Sequence, residues 1–190
     1  MHFVFDVDDT GAKTHPFYVK YFRDNFDIEL PKDVYATPEN AGPQFYDFVN
    51  SGYFLDKVEM YEGFAEAIFQ IKRDGHSASV CSHRGYHPMG MSKTRKLFGQ
   101  ELWNQFDNHY FLDPLRTPNK MEFLESVIEG PFVILDDRPH FSSELDPEDY
   151  NNIVLFDQPW NKHLPFPRIG KYDENFLPFL YAQAKRLTNF

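Results

Sequence analysis

Four short apolar runs, His2–Val7, Ser77–Cys81, Phe132–Leu135 and Ile153–Phe156, each give way to polar residues, and a weaker run, His109–Leu112, lies between the second and third. Runs of this length read as short buried strands. Helical patterns occupy the intervals. Glu62–Asp74 places Phe64, Ala67, Ile68 and Ile71 on one face and stops at Gly75, and Asn119–Glu129 places Met121, Leu124 and Ile128 on one face and stops at Gly130. Strands alternating with helices imply crossover connections, so the expected fold class is α/β: a parallel sheet with helices on both sides. A covering helix is expected over Asn175–Leu187, with Pro178 near its first turn, where proline is tolerated.

The spacing is uneven in one place. The first two strands end at Asp6 and Ser82, 76 residues apart, whereas a simple strand–helix–strand unit takes about 30. Residues 12–58 therefore read as an insertion, and residues 1–11 with 59–190 as the core domain, within what a 190-residue chain allows. The insertion holds a helical aromatic stretch (Phe17, Tyr18, Tyr21, Phe22, Phe26), a connection with Pro31, Pro38 and Pro43, and a second short helix around Phe45–Val49. An insertion directly after the first strand emerges at the carboxyl edge of the sheet, where open α/β proteins bind ligands, so it is placed to act as a cap. Aromatic residues are 18% of the chain, and roughly three in four should simply fill the core. The remainder can line a pocket for a flat ligand, with Phe17, Tyr18 and Tyr53 as candidates.

Charge narrows the partners. With 19 basic and 29 acidic residues the formal charge is −10, so nothing favours nonspecific binding to a nucleic-acid backbone. Cys81 is the single cysteine, which excludes an intrachain disulfide and a multi-cysteine metal site and suits a reducing compartment. No leader or membrane-length apolar stretch is evident. A soluble cytoplasmic protein without a membrane partner is expected, and a homodimer is compatible with the sequence.

Four elements carry chemistry. Asp6-Val7-Asp8-Asp9-Thr10 follows the first strand, and acids spaced i, i+2 at a strand end can turn towards one point, one to attack and one to move protons. The same pattern also serves calcium loops and plain solvated turns, although no further acids follow at EF-hand spacing. Val80-Cys81-Ser82-His83-Arg84-Gly85 offers a hydroxyl and backbone amides that can hold a phosphoryl oxygen, or an ordinary turn and cap. Lys120 opens a helix after Pro118. Val133-Ile134-Leu135-Asp136-Asp137-Arg138 ends a further strand on paired acids. Cys81, inside an apolar run, reads as a small buried hydrophobe. His83, His87 and His140 lack tight zinc-ligand spacing and read as loop histidines.

The order acid pair, hydroxyl, lysine, acid pair, with the acid pairs and the hydroxyl at strand ends, resembles the haloacid dehalogenase (HAD) superfamily of phosphotransferases and phosphatases. That resemblance covers Asp6 to Asp137 and implies a Rossmann-like sheet with a small, mainly helical C1-type cap. A narrower likeness rests on Ser51-Gly52-Tyr53-Phe54-Leu55-Asp56 and Asp157-Gln158-Pro159-Trp160-Asn161-Lys162-His163, which are similar to motifs of the 5′(3′)-deoxyribonucleotidase family. The chain departs from that family at Asp9-Thr10, where Gly-Val is common, and at Thr14, where an aromatic is common. The resemblance implies that Asp6 attacks phosphorus to form an aspartyl-phosphate, and that Asp8 protonates the leaving oxygen and then activates water. It implies Mg²⁺ on the Asp6 carboxylate, the Asp8 carbonyl and Asp137, with Asp136 in support. Ser82, Lys120 and the amides of His83 and Arg84 would bind the phosphoryl oxygens.

The substrate expected is a small phosphomonoester, a deoxynucleoside monophosphate by the narrower likeness. A phosphatase for another small substrate or for nucleic-acid 3′ ends is the alternative, the latter disfavoured by charge. A non-catalytic binding module is the third reading, against which the intact set Asp6, Asp8, Ser82, Lys120, Asp136 and Asp137 argues.

Overall fold

The computed structural model describes residues 1–139 and 150–188. Six strands, β1 (His2–Phe5), β2 (Ser77–Ser82), β3 (Asn108–Phe111), β4 (Phe132–Asp136), β5 (Ile153–Phe156) and β6 (Arg168–Ile169), form one sheet in the order β3-β2-β1-β4-β5-β6. Every pairing is parallel. The expected α/β class is the observed one. In this doubly wound order the chain turns back at β1, and the crevice beyond the carboxyl ends of β1 and β4 is where such sheets bind ligands.

Register aligns the chemistry. Phe5 lies opposite both Val80 and Leu135, so Asp6 emerges level with Asp136, and the Asp6 amide donates to the Leu135 carbonyl at 3.0 Å. Alternation along the strands separates two apolar clusters. Phe3, Phe5, Val80 and Leu135 join α4 (Phe64–Arg73) and α7 (Phe176–Thr188), while Val4, Ile134 and Cys81 join Met121 and Leu124 of α6 (Lys120–Val127). Asp6 and Asp136 continue the second parity, towards the face on which α6 begins.

Between β1 and α4 the chain forms α1 (Thr14–Phe26), α2 (Pro38–Ala41), α3 (Gln44–Ser51) and a 3₁₀ turn over Tyr53–Asp56. The ends of this segment meet: Ala12 bridges Met60, Lys13 N–H donates to the Glu59 carbonyl at 2.8 Å, and Tyr61 N–H donates to that of Gly11 at 3.0 Å. Tyr18, Phe22, Phe48 and Phe54 belong to the same apolar cluster as Phe3, Phe5 and Phe64. One hydrophobic core thus runs from the sheet into the helical segment.

Three features differ from the sequence expectation. β1 stops at Phe5 rather than Val7, because the chain turns off the sheet at Asp6. A helix, α5 (Gly90–Trp103), has no counterpart in the expected pattern: Gly99, at φ 72° and ψ 162°, interrupts it, and one position on its buried side is the polar Thr94. β6 is only two residues long, too short to leave a pattern. Among the described residues no helix is long and apolar enough to cross a membrane. His140 and the acidic stretch Ser143–Asp149 lie outside the described residues.

Candidate active site

The ends of β1, β2 and β4 and the start of α6 each contribute a part. Asp6 and Asp136 leave β1 and β4 side by side, and Lys120, the first residue of α6, extends its Nζ between them, 2.7 Å from Asp6 Oδ1 and 2.7 Å from Asp136 Oδ2. All three are buried. Asn119 caps α6 by accepting the Met121 amide at 2.9 Å, which fixes where Lys120 starts. Burial pushes the Asp6 carboxyl up to about 7, with Lys120 pulling it down and Asp136 and Asp8 pushing it further up. Burial would lower the Lys120 ammonium, but Asp136 and Asp6 hold it above its ordinary value. Asp6 Oδ2 has no hydrogen-bond partner among the described residues, which leaves one carboxylate oxygen free.

Asp8 is held from the opposite side. Arg84 Nε and Nη2 donate to its carboxylate at 2.9 and 2.7 Å, and Thr14 Oγ1, in the first turn of α1, donates to Oδ1 at 2.6 Å. Burial acts to raise Asp8, but the charge and hydrogen bonds of Arg84, with that of Thr14, hold it below the usual carboxylate range. The Arg84 guanidinium is 0% exposed and also donates to the Leu55 carbonyl at 2.7 Å and to Thr94 Oγ1 at 3.1 Å. Of the sequence candidates for the phosphoryl group, Arg84 therefore has its side chain committed to Asp8. Its amide donates to Ser82 Oγ at 3.3 Å. His83 Nε2 lies 2.9 Å from the Thr117 carbonyl, and burial, with the Lys120 charge, lowers this imidazole to about 3, so it is neutral.

The second acid of each pair is also enclosed. Asp137 Oδ2 accepts from Trp160 Nε1 at 2.8 Å, and its carbonyl accepts from Asn161 Nδ2 at 3.0 Å, so the turn after β5 holds it. Burial raises Asp137 well above the ordinary value, and Asp9, Asp136 and Asp6 add to the effect. Asp9 is buried with Oδ1 on the His15 amide and Oδ2 without a partner among the described residues.

Five carboxyl groups, Asp6, Asp8, Asp9, Asp136 and Asp137, thus share one edge with two buried cations, Arg84 and Lys120. An excess of buried acid is stable only if protons or a further cation offset it. Asp6, Asp136 and Asp137 each bring an oxygen within 4.8 Å of the others. An all-oxygen donor set suits a hard divalent ion such as Mg²⁺, so the residues present fit the cation expected from the sequence.

The substrate candidates divide. Tyr18 is buried on the Asp8 side of α1, edge-on to Phe48 and Phe54 at 5.2 and 5.0 Å. Burial raises its phenol well above the ordinary value, and Tyr35, Asp8 and Tyr86 contribute. Phe17 and Tyr53 instead face each other at 6.3 Å in an outer cleft of about 440 Å³ with Lys13, Lys20, Tyr21 and Lys57, and none of the five carboxyl groups lines it. Sequence reasoning missed Tyr35. Its ring lies 5.6 Å from Trp160 and 6.4 Å from His15, beneath the Arg138 guanidinium at 5.4 Å. Burial and then Asp137, Asp9 and Asp8 raise its phenol well above the ordinary value, and its neighbour Trp160 binds Asp137. A lone tyrosine in a proline-bounded connection gives no periodic signal.

No family model and no curated protein matches this chain. Solved structures do share its fold. A beta-phosphoglucomutase candidate from Thermotoga maritima is 15% identical, with a TM-score of 0.61 over 97% of this chain and 98% of that one. CbbY from Rhodobacter sphaeroides in complex with phosphate is 15% identical, with a TM-score of 0.58 over 95% and 98%. A HAD-superfamily hydrolase, subfamily IA, from Geobacter sulfurreducens is 17% identical, with a TM-score of 0.56 over 94% and 95%. At such identities the likeness establishes the fold, which is HAD-like.

Proposed function

We propose that this chain is a Mg²⁺-dependent phosphomonoesterase that hydrolyses nucleoside monophosphates, deoxynucleotides first among them, by way of an aspartyl-phosphate. The observation that carries this reading is Lys120 Nζ bridging Asp6 and Asp136 at 2.7 Å each, beside an Asp8 held separately by Arg84. One carboxylate is braced by a cation yet keeps a free oxygen, and a second stands near it on its own support. Separate supports let the two carboxylates take separate roles, one at phosphorus and one at the leaving oxygen.

In this reading Asp6 attacks phosphorus through its free Oδ2; Asp8, which Arg84 and Thr14 hold ionised in the free protein, takes up a proton from the monoprotonated phosphate as substrate binds and passes it to the departing alkoxide. Asp8 then takes a proton from water, which cleaves the acyl phosphate and returns Asp6 as a carboxylate. Lys120 stays against Asp6 and neutralises charge on the transferring group, with the Ser82 hydroxyl and the His83 amide as further donors; the Arg84 amide is already engaged by Ser82 Oγ. Asp6, the Asp8 carbonyl and Asp137 would hold Mg²⁺, with Asp136 fixed by Lys120 and by the Arg138 amide at 2.7 Å. When bound, the ion supplies charge neutralisation at the phosphoryl oxygens. The residues from Lys13 to Asp56 would act as the cap.

Support for nucleotides comes from the ring of Tyr35 beside Trp160, which binds Asp137, and from Phe17 and Tyr53 in the outer cleft, since flat bases stack on such surfaces. A sugar phosphate is the second reading, favoured because CbbY of the same fold has also been solved with xylulose-1,5-bisphosphate, at a TM-score of 0.55. Phosphate release across deoxynucleoside, ribonucleoside and sugar monophosphates tests both. The highest kcat/KM is expected for a deoxynucleotide, and a clear preference for sugar phosphates replaces the first reading with the second. Chelation should stop turnover, with Mg²⁺ restoring it and Ca²⁺ restoring it poorly; full activity in excess chelator refutes the metal assignment. Tyr53→Ala or Phe17→Ala should impair nucleotide turnover more than that of a small generic ester.

A further inference from the structure

Asp9 has no task in the chemistry above, yet it is buried at the centre of the site. It is one of two non-glycine residues with positive φ among the described residues, at φ 53°. Glycine meets that backbone demand at least cost, and only Asn and Asp among side-chain-bearing residues tolerate it readily. The side chain must therefore contribute something glycine does not. Asp9 Oδ1 accepts the backbone N–H of His15 at 2.7 Å, in the first turn of α1. That helix has no other cap: Lys13, at the N-cap position, makes no side-chain bond, and the first turn holds no acid. A carboxyl oxygen six residues upstream thus does the work of an N-cap as a hydrogen-bond acceptor, although burial, with the charges of Asp8 and Asp6, raises this acid well above the ordinary value.

The two ends of this tie are both anchored. The Asp9 carbonyl accepts from Gln158 Nε2 at 2.7 Å, and Gln158 also reaches Tyr61 Oη at 3.0 Å, so Asp9 is fixed to the core. One residue before His15, Thr14 Oγ1 holds Asp8 Oδ1 at 2.6 Å. Consecutive residues of α1 therefore bind consecutive acids of the β1 loop: His15 binds Asp9, and Thr14 binds Asp8. We infer that Asp9 is a positioning residue, whose carboxyl oxygen sets the first turn of α1 and, through Thr14, the orientation in which Asp8 delivers its proton to the leaving group. This rests on the phosphomonoesterase reading for its consequence, though not for the tie itself.

A misplaced acid harms only those substrates that need one. An alkyl phosphate expels a strongly basic alkoxide and depends on proton donation, whereas p-nitrophenyl phosphate expels a stable phenolate and does not. Asp9→Gly keeps the left-handed backbone and removes the cap; Asp9→Asn keeps both the backbone and the acceptor. In Asp9→Gly, kcat for an alkyl phosphate such as a deoxynucleoside monophosphate should fall about tenfold or more, while that for p-nitrophenyl phosphate stays within about threefold, and Asp9→Asn should restore the alkyl rate. Hydrogen exchange of the His15 amide should accelerate in Asp9→Gly and remain slow in Asp9→Asn. Equal losses on both esters, or an unchanged alkyl rate in Asp9→Gly, overturn the inference. If the wild-type protein with Mg²⁺ hydrolyses neither ester, the phosphomonoesterase reading fails by itself. The His15 amide still decides the tie, and undiminished protection in Asp9→Gly refutes it.

Discussion

Asp6 and Asp8, two of the three acids that follow β1, are held by opposite kinds of support. Asp6 and its partner Asp136 belong to adjacent strands, and Lys120 joins them from the first position of a helix, so every member sits on the rigid core. Asp8 is held by Arg84, whose other hydrogen bonds go to Leu55 in the 3₁₀ turn and to Thr94 in α5, and by Thr14 in α1. One carboxylate is thereby fixed by the sheet, and the other is tied to whatever the helical segment does. Side-chain exposure follows the same division, 5% for Asp6 against 22% for Asp8. A group that attacks gains from rigidity, while one that must accept and release protons gains from access to water.

The difference can be broken in four ways, from the largest effect down. Asp6→Asn removes the nucleophile and almost no volume, so turnover should fall by roughly 10⁴-fold or more with the circular dichroism spectrum intact. Substantial hydrolysis by the folded variant would assign attack elsewhere. Lys120→Met strands two buried carboxylates and should cost about 3–5 kcal/mol, read as a lower urea midpoint. Arg84→Met should cost less, about 1–3 kcal/mol, because the half-open Asp8 can rehydrate. An equal or greater loss at Arg84 would mean that the contacts to Leu55 and Thr94, rather than the ion pair, dominate there.

The smallest effect separates the two sides by sign. Asp6, raised to about 7, keeps its proton when the unfolded chain has lost it, so its contribution is fully present below the unfolded value of 3.8 and is lost as pH rises through about 7. Asp8 is lowered, so its contribution is present above the unfolded value and is lost as pH falls through the folded one. In the metal-free protein, stability should decline towards neutral pH, by up to about 1.4 kcal/mol per unit from Asp6 with Asp9 and Asp137, also raised, adding to it, and Mg²⁺ should flatten that decline by replacing protons. Thermal melts from pH 5 to about 8, with and without chelator, measure it. A metal-free stability that rises across this range would show that Lys120 keeps Asp6 ionised.

The sheet was legible because its strands are short apolar blocks, and parallel order followed from the helices between them. The helix α5 escaped notice because Thr94, on its buried side, reads as a surface residue; its burial makes sense only with Arg84 Nη1 beside it. The same holds for the site. Asp6, Asp8, Lys120, Asp136 and Asp137 stand out as acids at strand ends and a lysine at a helix start. The Arg84 side chain could not be assigned to Asp8, 76 residues away, from spacing alone, nor Trp160 to Asp137. Such partners are chosen in three dimensions, by which loops leave the same edge of the sheet. Asp9 was the most informative residue to underrate, since its value lies in a backbone conformation that composition does not reveal.

The register of the sheet also has a consequence for the birth of the protein. β1 lies at the centre, between β2 and β4, and Phe5 pairs with Leu135, 130 residues later. At roughly 5–20 residues per second, a ribosome takes on the order of 7–25 s to deliver that partner. For that interval the strand that carries Asp6 has an unpaired flank, and Asp6 lacks both Lys120 and Asp136. The reactive edge is therefore among the last parts of the nascent chain to close, and the unpaired apolar strand is the segment a chaperone would have most reason to shield.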